Sequence, residues 1–98
     1  MTVVSVLKLP VRAGSAAAFE RRFVELQIFE RSRESGGFLG GRLLRPLADS
    51  GPFLVLAEWE TTEAYQAWLD TPVRAELGAK LEPLLLDEVV AGEMFEEA

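Results

Sequence analysis

The segment Phe53-Leu54-Val55-Leu56-Ala57-Glu58-Trp59-Glu60 has the length of a strand and carries apolar side chains on both faces. Phe53, Val55 and Trp59 fall on one side, Leu54 and Leu56 on the other. Val3 to Leu9 repeats the pattern, with Val3, Leu7 and Leu9 opposing Val4 and Val6. A sheet with one solvated face alternates apolar and polar residues, and these strands do not. Both faces of the sheet therefore need cover.

The rest of the chain supplies cover for one face. Ser15 suits an N-cap, and Ala16, Phe19, Phe23 and Leu26 recur at helical spacing, which predicts an amphipathic helix from about Ser15 to Glu34. Arg31 and Arg33 suit its C-terminal end, and Gly36-Gly37 stops it. A second strand is expected from Phe38 to Leu47, with a bulge or close backbone approach at Gly40-Gly41. Ala48-Asp49-Ser50-Gly51-Pro52 is turn chemistry and makes a hairpin with the strand that begins at Phe53. Thr61 caps a second helix that holds Tyr65, Trp68 and Leu69 on one face, and Thr71-Pro72 restarts it. Leu86 to Phe95 reads as the fourth strand.

The order β-α-β-β-α-β is the ferredoxin-like, split βαβ arrangement, an α+β sandwich with both helices on one side of an antiparallel sheet. The simplest cover for the bare side is a second copy of the same sheet, which predicts a homodimer with Val4, Val6, Leu54 and Leu56 in or near its interface.

Composition narrows the function. Ninety-eight residues, 49% hydrophobic and 27% charged, are expected to form one globular domain over 1–98. A net charge of −6 argues against nucleic acid or an anionic membrane as partner. No segment approaches a membrane span or a signal-peptide core, so a cytoplasmic location is expected. The chain has no cysteine and no histidine. Thiolate and Ser–His nucleophiles are absent, as are the usual zinc, copper and non-haem iron ligand sets, so no metal is expected.

Several pieces, in order, resemble the antibiotic biosynthesis monooxygenase family, and within it the haem-degrading members. They are Val11-Arg12-Ala13-Gly14 after the first strand, Arg22-Phe23, and Gly37-Phe38-Leu39-Gly40 leading to Leu43-Leu44-Arg45-Pro46. The strongest is Glu58-Trp59-Glu60 followed by Glu63-Ala64-Tyr65-Gln66-Ala67-Trp68. The resemblance implies a dimeric α+β barrel with a pocket between helices and sheet in each subunit. It also implies three pocket residues in the haem-degrading branch: an asparagine on the first strand, a tryptophan on the second helix, and an iron-ligating histidine nine or ten positions later. Trp68 matches the tryptophan, Leu7 stands at the asparagine position, and Leu77 or Gly78 stands at the histidine position.

Other members of the family oxidise phenolic or anthrone-like aromatics with neither metal nor flavin. The resemblance then points to a cofactor-independent monooxygenase acting on a small aromatic of the phenol, quinol or anthrone type. Trp68 and Tyr65 are the candidate catalytic residues, and Leu7, Arg22, Phe23, Leu26 and Leu77 the candidate substrate-binding ones. A core tryptophan, a surface tyrosine and a solvated arginine are the plain alternatives for Trp68, Tyr65 and Arg22. A non-catalytic small-molecule-binding dimer and a haem protein with unusual ligation are the competing functions, because fold alone does not settle activity.

Overall fold

β-Branched residues at positions 3, 4 and 6 favour extended backbone, and β1 runs Val3–Leu9 until Pro10 ends it. The computed structural model describes residues 2–49 and 51–98; Met1 and Ser50, the latter part of the expected hairpin turn, lie outside the described residues. The further strands are β2 (Phe38–Leu44), β3 (Phe53–Trp59) and β4 (Glu93–Phe95). The helices are α1 (Ala16–Glu25), α2 (Ile28–Glu34), α3 (Thr62–Leu69) and α4 (Pro72–Leu81), with a 3₁₀ turn over Glu82–Leu84. The sheet order is β2-β3-β1-β4, antiparallel throughout, which is the ferredoxin-like α+β fold. No helix among the described residues is long and apolar enough to cross a membrane.

Register assigns every strand residue to a face. Cross-strand partners share a side, so Val3, Ser5, Leu7 and Leu9 join Trp59, Ala57, Val55 and Phe53 on the inner face. The helices pack there and build two adjoining clusters. One holds Leu9, Phe19, Phe23, Phe53, Leu81 and Leu85; the other holds Phe38, Ala57, Trp59, Tyr65, Trp68 and Leu77. On the outer face, Phe95 pairs with Val4, Val6 with Leu56, and Leu54 with Leu44. These side chains are half-buried or exposed, and Glu93, Glu58, Arg42 and Lys8 stand among them.

Four expectations change on the structure. The single helix over Ser15–Glu34 is two helices, broken at Gln27, whose φ of 53° is left-handed. On an unbroken helix Ile28 would lie roughly 180° round the axis from Phe19 and point away from the sheet. The break re-aims Ile28 and Ser32 inward, at a local cost on the order of 1 kcal/mol for a non-glycine residue in that conformation. Ser15 takes the N-cap position but forms no side-chain cap bond, whereas Thr61 and Thr71 accept from the Ala64 and Arg74 N–H groups.

The remaining two changes concern strand ends. β2 stops at Leu44, the last residue paired with β3, and Leu47 is fully exposed. β4 is three residues, not ten, because the backbone of the preceding stretch bonds elsewhere. Leu85 makes an isolated bridge to Val11, Val90 C=O accepts from Arg74, and Gly92 N–H donates to Tyr65.

Candidate functional site

Between the helices and the inner face lies a cleft whose water-accessible interior is about 60 Å³, or about 590 Å³ counted out to its open mouth. Its floor is Ser5, Leu7, Val55 and Ala57 from the sheet. Trp68 and Tyr65 come from α3, Arg74, Leu77 and Gly78 from α4, and Ile28, Phe29 and Ser32 from α2. The caps explain why the helix residues arrive there. Thr61 starts α3 so that Tyr65 and Trp68 fall on the sheet side, and Thr71 Oγ1 both donates to the Trp68 carbonyl at 2.7 Å and caps α4.

Most polar groups in the cavity are already partnered. Trp59 Nε1–H donates to Ser5 Oγ at 3.1 Å, so the Ser5 hydroxyl keeps its own hydrogen for a second bond. Ser32 Oγ donates to the Ile28 carbonyl at 2.8 Å. Tyr65 Oη accepts from Gly92 N–H at 2.8 Å, which again leaves the phenolic hydrogen free. Arg74 Nη2 donates to the Val90 carbonyl at 2.8 Å. Burial pulls the Arg74 guanidinium below its ordinary pKa, and the neighbouring Tyr65 works in the opposite direction.

Leu7, Phe23, Tyr65, Trp68 and Leu77 therefore share one cavity wall. Two candidates from the sequence do not join them. Arg22 is exposed and donates to the Lys80 carbonyl at 2.8 Å, because it lies on the side of α1 that faces α4 rather than the sheet. Leu26 is half-buried behind the wall, bridging the two clusters. Tyr65 is not a surface residue; it is 7% exposed and stands 5.3 Å from Trp59, ring centre to ring centre. Sequence reasoning missed Ser5 and Arg74. The signal for Ser5 was its period-2 position between Val3 and Leu7; that for Arg74 was its place one turn before the sheet-facing Leu77.

A family model for antibiotic biosynthesis monooxygenases matches residues 2–79. The chain belongs to that family. The mycobilin-producing haem oxygenase of Mycobacterium tuberculosis is 35% identical over 85 residues, covering 86% of this chain and 79% of that protein. A haem-degrading protein of the same organism, solved haem-free, is 38% identical and superposes with a TM-score of 0.62, covering 74% of this chain and 81% of that one. SnoaB, a cofactor-independent oxygenase from Streptomyces nogalater, has the same fold at a TM-score of 0.77 and 21% identity, covering 99% of this chain and 93% of that one.

The haem-degrading relatives raise the question of whether this cavity suits haem. Leu77 and Gly78 both line the wall and offer hydrocarbon or nothing to an iron. The chain has no imidazole and no thiolate. Met94 packs against the second cluster away from the cavity lining, and the Tyr65 oxygen already accepts a backbone N–H. The residues of this antibiotic biosynthesis monooxygenase family member do not fit an axially ligated haem.

Proposed function

We propose that this protein is a cofactor-independent monooxygenase that oxidises a small electron-rich aromatic of the phenol, quinol or anthrone type. The observation that carries the reading is the aromatic-walled cavity between helices and sheet, with Trp68, Tyr65 and Phe23 on its wall. In this chemistry the deprotonated substrate supplies the electrons. For an anthrone, or a phenol or quinol reacting through its keto tautomer, a ring CH₂ loses two hydrogens, one oxygen atom of O₂ becomes the new carbonyl, and the other leaves as water with those hydrogens. The protein excludes water, orients the ring and stabilises negative charge. Trp68 and Phe23 offer faces for the ring, Leu7 and Leu77 set the width, and the Tyr65 and Ser5 hydroxyls stand as donors to a developing oxyanion.

Among the described residues the cavity lining carries no carboxylate, and the chain has no imidazole, so the site offers neither of the usual general bases. That feature also favours a second reading, a binding protein without turnover. Oxygen uptake separates the two. With hydroquinones and anthrones in the presence of a chelator, uptake above the uncatalysed rate is expected, falling at least about tenfold in Trp68→Phe. A rate equal to the blank across the panel would leave the binding reading in its place.

The apolar outer face supports a homodimer in which two sheets pack face to face. Phe95 is 52% exposed beside Val4, and Val6, Leu54 and Leu56 continue the patch. Sedimentation at micromolar concentration is expected to give twice the chain mass, and a stable monomer refutes the pairing.

A further inference from the structure

Among the described residues, Arg74 is the one ionised side chain on the cavity lining, and its charge is poorly accommodated by its own protein. Among the described residues the ion pairs are Arg45–Glu20 and Lys80–Glu76; none includes Arg74. This is notable in a chain with 16 acidic residues against 10 basic ones. Arg74 also sits in the first turn of α4, where no acidic residue offsets it and the helix dipole disfavours a cation. Among the described residues its one side-chain hydrogen bond, to the Val90 carbonyl, uses a single donor of the five that a guanidinium presents. A half-buried cation without a carboxylate is costly unless something else brings the negative charge.

We propose that the cavity takes its aromatic ligand as an anion, with the Arg74 guanidinium paired to a carboxylate or ionised hydroxyl on the ring. The proposal rests on the reading of the cavity as an aromatic-binding site, and it supplies what that site lacks. Where the paired oxygen is the ring hydroxyl, the cation favours its ionised form, so the substrate arrives already deprotonated and needs no protein base; where it is a carboxylate, the pair anchors and orients the ring. The planar fork of arginine matches a carboxylate through two parallel hydrogen bonds, and Tyr65, which lines the same cavity, keeps its phenolic hydrogen as a further donor. The overall charge of −6 repels anions, so the attraction has to be local.

Titration calorimetry with 2-naphthoate and its neutral counterpart 2-naphthamide tests this without requiring turnover. The wild-type protein is expected to prefer the carboxylate by about tenfold or more, as a charge-assisted pair implies. In Arg74→Gln the preference should fall to about one, and Arg74→Lys should retain part of it, since lysine keeps the charge but not the fork. Equal binding of the two compounds by the wild-type protein overturns the proposal, even if the Gln variant does not fold. So does a preference that survives in a folded Arg74→Gln protein. If neither compound binds, the aromatic-cavity reading falls and this proposal with it. If the carboxylate is preferred but no oxygen is consumed, anion binding stands and oxygenation alone fails.

Discussion

The helix-covered face has two ends that are built differently. The end around Phe19 is hydrocarbon throughout: Phe19, Phe53, Leu9 and Leu85 are each at most 2% exposed, and the Phe19 and Phe53 rings meet 4.9 Å apart at their centres. The end around Trp68 is as well buried, yet it is made of side chains with polar tips, Trp59, Tyr65 and Trp68, set round a cleft. At the first end the contacts of Phe19, Phe53 and Leu85 serve packing alone, and only Leu9, Phe23 and Leu81 also border the cleft. At the second, each polar tip with a partner in the structure costs a dedicated one, Ser5 for Trp59 and Gly92 for Tyr65, and the space between them stays open. The phenylalanine end holds the fold so that the tryptophan end can afford a cavity.

Substitutions at the two ends should therefore separate stability from binding. Phe19→Ala is expected to cost about 3–5 kcal/mol in urea unfolding while leaving ligand affinity of the folded fraction unchanged. An equal loss of affinity would mean that the two ends are not independent. Ser5→Ala strands the Trp59 indole N–H and should cost about 1–3 kcal/mol, and it should also weaken ligand binding because Ser5 lines the cavity. Loss of stability alone would assign Ser5 to packing.

A smaller gain is expected from Leu77→His or Gly78→His, the two positions at which the resemblance to the haem-degrading branch puts an iron-ligating imidazole. Haem titration followed at the Soret band should show weak, unligated association for the wild type and about tenfold tighter, ligated binding for one of the variants. No gain would show that the cleft differs in shape as well as in ligand from the haem-degrading relatives. The smallest effect belongs outside both ends. Arg45 donates to Glu20 through two nitrogens, Nε at 2.7 Å, and this holds the Glu20 carboxyl below its ordinary pKa. A lowered carboxylate pKa contributes stability above the unfolded-state value, lost as pH falls through the folded one. Glu20→Gln should remove only that slight acid-side dependence, since the pair is solvent-exposed and screened.

Much of this was legible in the chain. The two-faced strands, the threonine caps and the Gly36-Gly37 stop, both at positive φ, all rest on local rules that tertiary contacts did not override. The break at Gln27 was not legible, since no glycine or proline marks it; it exists because Ile28 and Ser32 are needed facing the sheet. The short length of β4 is hidden in the sequence for a related reason. Val89 and Val90 look like strand residues, but the Val90 carbonyl and the Gly92 N–H bond to the Arg74 and Tyr65 side chains, distant in sequence. For the site, α3 was readable from its periodicity. Arg22 was placed by its family match with Phe23 and not by its helix face, and the charge that the cavity does hold comes from α4 instead.

Gly41 on β2 carries a last consequence. A Cβ built there would overlap the Phe29 ring, which fills the missing side chain's place and also lines the cleft. The ring stacks on Phe38 at 5.9 Å between centres, so it has little room to retreat sideways. Any side chain at position 41 would press Phe29 toward the ligand. Gly41 itself does not line the cleft, so one methyl group added there would reshape the cavity wall through Phe29 while leaving the identity of every lining residue unchanged.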